Sequence, residues 1–177
     1  MTNIELAVLG LIAEGPRHGY QIAQDIETRG MRAWTEIGFS SIYSTLNKLE
    51  HSGWIESQVH EVSGQRGPAR KVYGLTPAGM DAHRKAVRQR LSKPHPRSAD
   101  FLLALANLPV LSDGEQREAL LEYQGSLRQQ IGGVREKQMR DQQARHLAPH
   151  VEALFDYSLT LMTAELEWID RFLDTKT

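Results

Sequence analysis

The amino-acid sequence predicts a mainly helical chain in two parts: a small helical domain carrying a β-hairpin, then a region of long helices. Three observations predict it. Short stretches with apolar residues at threes and fours recur between residues 4 and 52. Two alternating, strand-like runs, 54–60 and 70–76, flank a loop containing glycine and proline. From residue 98 onward the pattern is helical throughout.

The first helix is expected over 4–14, capped by Asn3, with Ile4, Val8, Leu11 and Ile12 on one face and Gly15-Pro16 ending it. A second spans about 19–29, turning Ile22, Ala23 and Ile26 inward and closed by Gly30. The following loop holds Trp34 and Phe39, both expected to pack. Ser40 is expected to cap a third helix over about 41–52, with Ile42, Leu46 and Leu49 inward and Gly53 at its end. The two strands and their long tip, "EVSGQRGPA", form a hairpin. Thr76-Pro77, an N-cap followed by proline at the first helical position, opens a fourth helix to about Leu91. Helix, helix, helix, hairpin, helix is the order of a winged helix-turn-helix domain, in which the hairpin tip projects as a wing.

"SKPHPR" (92–97) reads as a linker, so the division is 1–91, 92–97 and 98–177. Beyond it, "SADFLLALANLP" makes a short amphipathic helix closed by Pro109. Ser112 and Glu115 form a capping box for a helix over about 113–147, with Leu120, Leu127, Ile131 and Val134 on its apolar face and a kink expected at Gly132-Gly133. Pro149 opens the last helix. Its stripe of Val151, Leu154, Phe155, Ser158, Met162, Ile169 and Phe172, widened by Leu159, Leu161, Leu166 and Trp168, exceeds what one antiparallel neighbour covers. A second copy of the chain is the economical partner, with Leu120, Leu127, Val151, Leu154, Phe155, Met162, Ile169 and Phe172 as the expected dimerisation residues.

Composition excludes several classes. The absence of cysteine removes disulfides and thiolate chemistry and fits a reducing cytoplasm. No apolar run reaches the length of a membrane span, and the N-terminus, with Glu5 and Glu14 and no basic leader, does not read as a signal peptide. His146 and His150 are separated by Pro149 with no acid to complete a metal site. There is no nucleophile elbow, phosphate loop or paired carboxylate, so neither a catalytic function nor a cofactor is expected. Net charge is −1, yet its distribution is uneven: residues 82–99 hold six basic residues and no acid, and 62–73 hold three and none.

Three stretches, "LGLIAEGPRHGYQI" (9–22), "IGFSSIYSTLNKLEHSGWIES" (37–57) and "GPARKVYGLTPAG" (67–79), resemble the winged-helix motifs of PadR-type transcriptional regulators. The region from "DFLLALANLP" onward is similar to the helical dimerisation part of the longer members, so the likeness covers nearly the whole chain. It implies a cytoplasmic homodimer on a palindromic operator, usually a repressor, which in some members a small aromatic or planar molecule releases. Gly74 departs from the pattern, since many relatives carry a larger, often basic residue there.

The residues themselves specify how such a domain would meet DNA. A recognition helix enters the major groove N-terminal part first. Small hydroxyls at Ser40, Ser41 and Ser44 permit close approach. Asn47 suits adenine, Lys48 a phosphate or guanine, and the Tyr43 hydroxyl a phosphate. In and beside the wing, Gln65, Arg66, Arg70 and Lys71 suit a minor groove or its phosphates. His18, Tyr20 and Gln21 open the second helix, whose free N–H groups favour an anion. Trp34, Phe39, Phe101 and Tyr123 are the candidates for a planar effector in a cleft between the two parts. One other reading stays open: a winged-helix module that binds a protein partner and never DNA, favoured by the near-neutral charge. Steep salt dependence would separate DNA binding from an apolar protein interface.

Overall fold

The computed structural model describes residues 1–33, 38–60, 70–93, 99–144 and 147–175. It is mainly helical, and the chain divides into two compact units, Met1–His95 and Pro96–Thr177.

The first unit is a winged helix-turn-helix. Helix α1 (Asn3–Ala13) is capped by Thr2 and not by Asn3, because Thr2 has the carboxylate it needs three residues on. The Glu5 N–H donates to the Thr2 hydroxyl at 3.3 Å and the Thr2 N–H donates to the Glu5 carboxylate at 2.7 Å, a reciprocal capping box. Strand β1 is only Arg17–His18, and α2 (Gly19–Thr28) follows at once, with Gly30 beyond its end at φ +66°. A 3-10 turn covers Met31–Ala33. Helix α3 (Phe39–His51) starts two residues earlier than expected. Gly38 is its N-cap, and the Ser41 hydroxyl donates to the Gly38 carbonyl at 2.5 Å. Strands β2 (Ile55–His60) and β3 (Arg70–Leu75) pair antiparallel, from Ile55↔Leu75 to His60↔Arg70. Strand β1 adds to the free edge of β3, giving the order β1-β3-β2. Helix α4 (Pro77–Leu91) has its expected cap, with the Gly79 N–H donating to the Thr76 hydroxyl at 3.0 Å.

One core joins these elements. Val8, Leu9, Leu11 and Ile12 of α1 pack with Ile22 and Ile26 of α2, Ile42, Leu46 and Leu49 of α3, Ile55 of β2 and Tyr73 of β3. Each fully buried Leu or Ile contributes about 1.5–3 kcal/mol through burial. Arg17 fixes the α1–α2 turn. Its guanidinium donates to the Leu11 and Gly15 carbonyls at 2.6 and 3.2 Å, pairs with Asp25 at 2.7 Å and with Glu14 at 2.8 Å. It thereby satisfies carbonyls that the end of α1 leaves open.

The second unit holds α5 (Ala99–Ala106), a 3-10 turn at Leu108–Val110, α6 (Asp113–Ala144) and α7 (Pro149–Asp174). Ser112 and Glu115 cap α6 reciprocally as expected, and the helix runs unbroken through Gly132 and Gly133, where a kink was expected. Leu120, Leu127 and Ile131 of α6 bury against Ile169 and Leu173 of α7, so the two helices pack antiparallel. Phe101 of α5 stacks on Tyr123 at 4.8 Å and meets Trp168 edge-on at 6.2 Å, and Tyr123 donates to Glu165 at 3.0 Å.

Much of the expected dimerisation set lies inside this packing. Leu120, Leu127, Phe155 and Ile169 are buried within the chain, and Met162 and Phe172 pack against the same cluster. The sequence shows a wide stripe but cannot apportion it between a neighbouring helix and another molecule. Of the expected residues Val151 is half-buried and Leu154 is exposed. Tyr157 and Leu161, three and seven residues after Leu154, continue an exposed row along α7.

Candidate nucleic-acid interface

The periodicity of α3 sets which side chains leave the core. Ile42, Thr45, Leu46 and Leu49 are buried, so the opposite face presents Ser44, Asn47 and His51 at spacings of three and four, all exposed. His51, four residues after Asn47, extends this exposed face beyond the residues singled out from the sequence. The Ser44 hydroxyl donates to the Ser41 carbonyl at 3.0 Å, which leaves its oxygen as an acceptor toward solvent.

The two flanks of α3 are tied to neighbouring elements. On one flank Lys48 pairs with Glu5 of α1 at 2.6 Å; the lysine is exposed, but the carboxylate is buried. Burial alone would push the Glu5 carboxyl up. The Lys48 hydrogen bond, the Thr2 N–H and the charges of Lys48 and the N-terminal amine outweigh it and hold the carboxyl below its usual range. Lys48, expected to meet a phosphate or guanine, is thus paired within the chain.

On the other flank stand Tyr43 and Glu50. Glu50 accepts a short hydrogen bond from the Ser57 hydroxyl of β2 and pairs with Lys71 of β3 at 3.3 Å. The Ser57 hydrogen bond first, then Lys71, hold its carboxyl below the usual range against the opposing effect of burial. The Tyr43 ring lies over Gly19, where an added Cβ would sit 2.9 Å from its Cε1 atom. Only glycine lets the ring close on α2 there.

At the start of α2, Tyr20 is 67% exposed, so it does not fill the core. Gln21 accepts from the His18 N–H at 2.8 Å, and His18 Nδ1, as donor, reaches the Lys71 carbonyl at 3.2 Å. Lys71 of β3 thus bonds both to Glu50 of α3 and to His18 at the start of α2. Trp34, Gln65 and Arg66 lie outside the described residues, as do the side chains of Phe39, Ser40 and Arg70. Of the effector candidates, Phe101 and Tyr123 pack on each other in the second unit. Among the described residues, no cluster of His, Asp and Glu is placed to hold a metal ion, and no helix is long and apolar enough to cross a membrane.

Known proteins share this fold. Residues 8–85 match the model of the transcriptional regulator PadR-like family. The transcriptional regulator Rv3488 of Mycobacterium tuberculosis is 33% identical over 79 residues, covering 45% of this chain and 67% of that protein. The crystal structure of Bacillus subtilis PadR in complex with operator DNA superposes with a TM-score of 0.80 at 18% identity, covering 99% of this chain and 100% of that one. The complex of the same protein with p-coumaric acid gives 0.76 at 19% identity, covering 98% of each chain. With its helix-turn motifs, its wing and these matches, the chain belongs to the PadR-like family of DNA-binding transcriptional regulators, whose members are not enzymes.

Proposed function

We propose that this chain is a cytoplasmic homodimeric repressor that reads a palindromic operator and leaves it when a small aromatic effector binds. The observation that carries the reading is the outward row of Ser44, Asn47 and His51 on α3, beside the β2–β3 hairpin. Asn47 reads adenine from the major groove; Arg66, Arg70 and Lys71 grip phosphates from the wing. Bacillus subtilis PadR has been crystallised with operator DNA and with p-coumaric acid, which supports both the duplex and the class of effector.

The exposed row Leu154, Tyr157 and Leu161 of α7 supports assembly with a second copy. Two recognition helices must stand about 34 Å apart, or a multiple, to meet successive major-groove faces. A rotation at the linker 92–97 would spoil that spacing, and this is how an effector would release the operator. The test is a pair of variants on operator and scrambled duplexes. Asn47→Ala should cost roughly 1–3 kcal/mol on the operator and relax its sequence preference, while Arg66→Ala should weaken all duplexes alike and flatten the salt slope. Unchanged binding by both variants would remove the assignment.

A further inference from the structure

The two lysines expected to meet DNA are each held by a glutamate from a different element. Lys48 pairs with Glu5 of α1 at 2.6 Å and Lys71 with Glu50 of α3 at 3.3 Å. We propose that Glu5 and Glu50 are specificity-determining residues, which neutralise the phosphate-seeking lysines of the interface so that they engage only where base contacts already hold the duplex. This role rests on the DNA-binding reading above.

The physical basis is the difference between a monopole and a pair. A free lysine attracts any phosphate and releases a counterion on contact, and that gain carries no sequence information. A lysine within hydrogen-bonding distance of a carboxylate presents a near-neutral pair, whose field at the distance of an approaching duplex is small after screening. To reach a phosphate, the lysine must leave its partner. For Lys48 that leaves Glu5, which is 4% exposed, with the Thr2 N–H and the charge of the N-terminal amine but without the lysine's hydrogen bond and charge in water-poor surroundings. For Lys71 the loss is smaller. Glu50 keeps the Ser57 hydrogen bond, and the carboxylate itself remains beside the groove-facing surface as a repelling charge. Both carboxyls are held below their usual range, so both stay ionised at neutral pH. The two pairs lie on opposite flanks of α3, so a random duplex approaching from either side meets a compensated lysine. A chain of net charge −1 is in keeping with recognition that does not depend on bulk attraction.

Glutamine is the informative replacement at both sites. It keeps an acceptor for Thr2 N–H or Ser57 Oγ and removes only the charge, and glutamine is itself a capping-box residue. Binding of operator and scrambled duplexes by Glu5→Gln, Glu50→Gln and the double variant should be followed by fluorescence anisotropy across a fourfold range of salt. Thermal melts would confirm that each variant is folded. The role predicts that the log–log salt slope on the scrambled duplex steepens by about 0.9 per lysine freed, a further ~3.5-fold change across that range. The ratio of operator to scrambled affinity should fall accordingly. Adding Lys71→Gln to Glu50→Gln should return the scrambled-duplex slope toward that of the unmodified chain. Folded variants with the unmodified slope and ratio would overturn the role while leaving the DNA reading intact. An unmodified chain that binds neither duplex would overturn both.

Discussion

Gly79→Ala should destabilise the winged-helix unit severely, although alanine is the better helix former. Gly79 is the third residue of α4, and a Cβ there would lie 1.9 Å from the Trp54 carbonyl oxygen and 2.7 Å from its carbon. A carbon–oxygen contact normally stays beyond about 3.3 Å, so the helix start must withdraw by roughly 1.4 Å. The obstacle is backbone and cannot rotate aside. The same Trp54 carbonyl accepts the Thr76 N–H at 3.1 Å, while the Thr76 hydroxyl donates to the Gly53 carbonyl at 2.7 Å. Withdrawal therefore strains both bonds. Overpacking costs about 1–3 kcal/mol and each weakened bond up to about 1 kcal/mol, against a gain of about 1 kcal/mol in helix propensity. With both bonds lost in full, the net cost is roughly 2–4 kcal/mol. In a domain of this size each kcal/mol moves the melting temperature by about 4–8 °C, so a fall of about 8–32 °C is expected in a thermal melt followed by circular dichroism. Gly74→Ala is the control, because no heavy atom lies within 4 Å of its added Cβ. A Gly79→Ala chain that melts with the unmodified protein would refute the reasoning.

Gly19→Ala should be far milder: the nearest atom in its way, Tyr43 Cε1 at 2.9 Å, belongs to a half-exposed side chain that can move, and Leu46 Cδ1, at 3.3 Å, has to give by only a few tenths of an ångström. Its melting temperature should change by a few degrees at most, while operator affinity in an anisotropy titration falls several-fold as Tyr43 is displaced. In the second unit, Leu154→Ser with Leu161→Ser should lower dimer affinity in sedimentation equilibrium without lowering the melting temperature of the monomer, because both side chains are exposed in the single chain. Acid stability follows from Glu14, whose carboxyl is held low first by the Arg29 hydrogen bond and then, against burial, by the charges of Arg29 and Arg17. A depressed folded-state value stabilises above the unfolded value near 4.5 and is lost as pH falls through the folded one. Glu14→Gln should therefore lower stability at neutral pH and make the acid-side decline shallower in a chemical-denaturation series.

The sequence made legible those features that depend on neighbours along the chain. Thr76-Pro77, Ser112 with Glu115 and Gly53 each marked an element end within a residue or so, because caps are local chemistry. Where two adjacent residues can both cap, the deciding partner lies elsewhere: Asn3 was expected, and Thr2 won through Glu5. Strand β1 was illegible because two residues carry no periodicity and pair only once β3 is in place. That Asn47 and Ser44 face away from the core followed from helical periodicity alone. The pairing of Lys48 with Glu5 did not, since it joins residues 43 positions apart through the packing of α1 on α3. The same limit explains the dimerisation set, where Leu120, Leu127 and Ile169 proved to be the chain's own core.

The central claim is that α3 and the wing read a specific duplex. The most direct measurement is fluorescence anisotropy of the full chain with a labelled duplex from its own upstream region and a scrambled duplex of the same composition, at two salt concentrations. Tight, salt-sensitive binding to the upstream duplex, with much weaker binding to the scrambled one, is the predicted result. Equal and weak binding to both, insensitive to salt, would contradict it and favour a winged-helix fold that meets proteins.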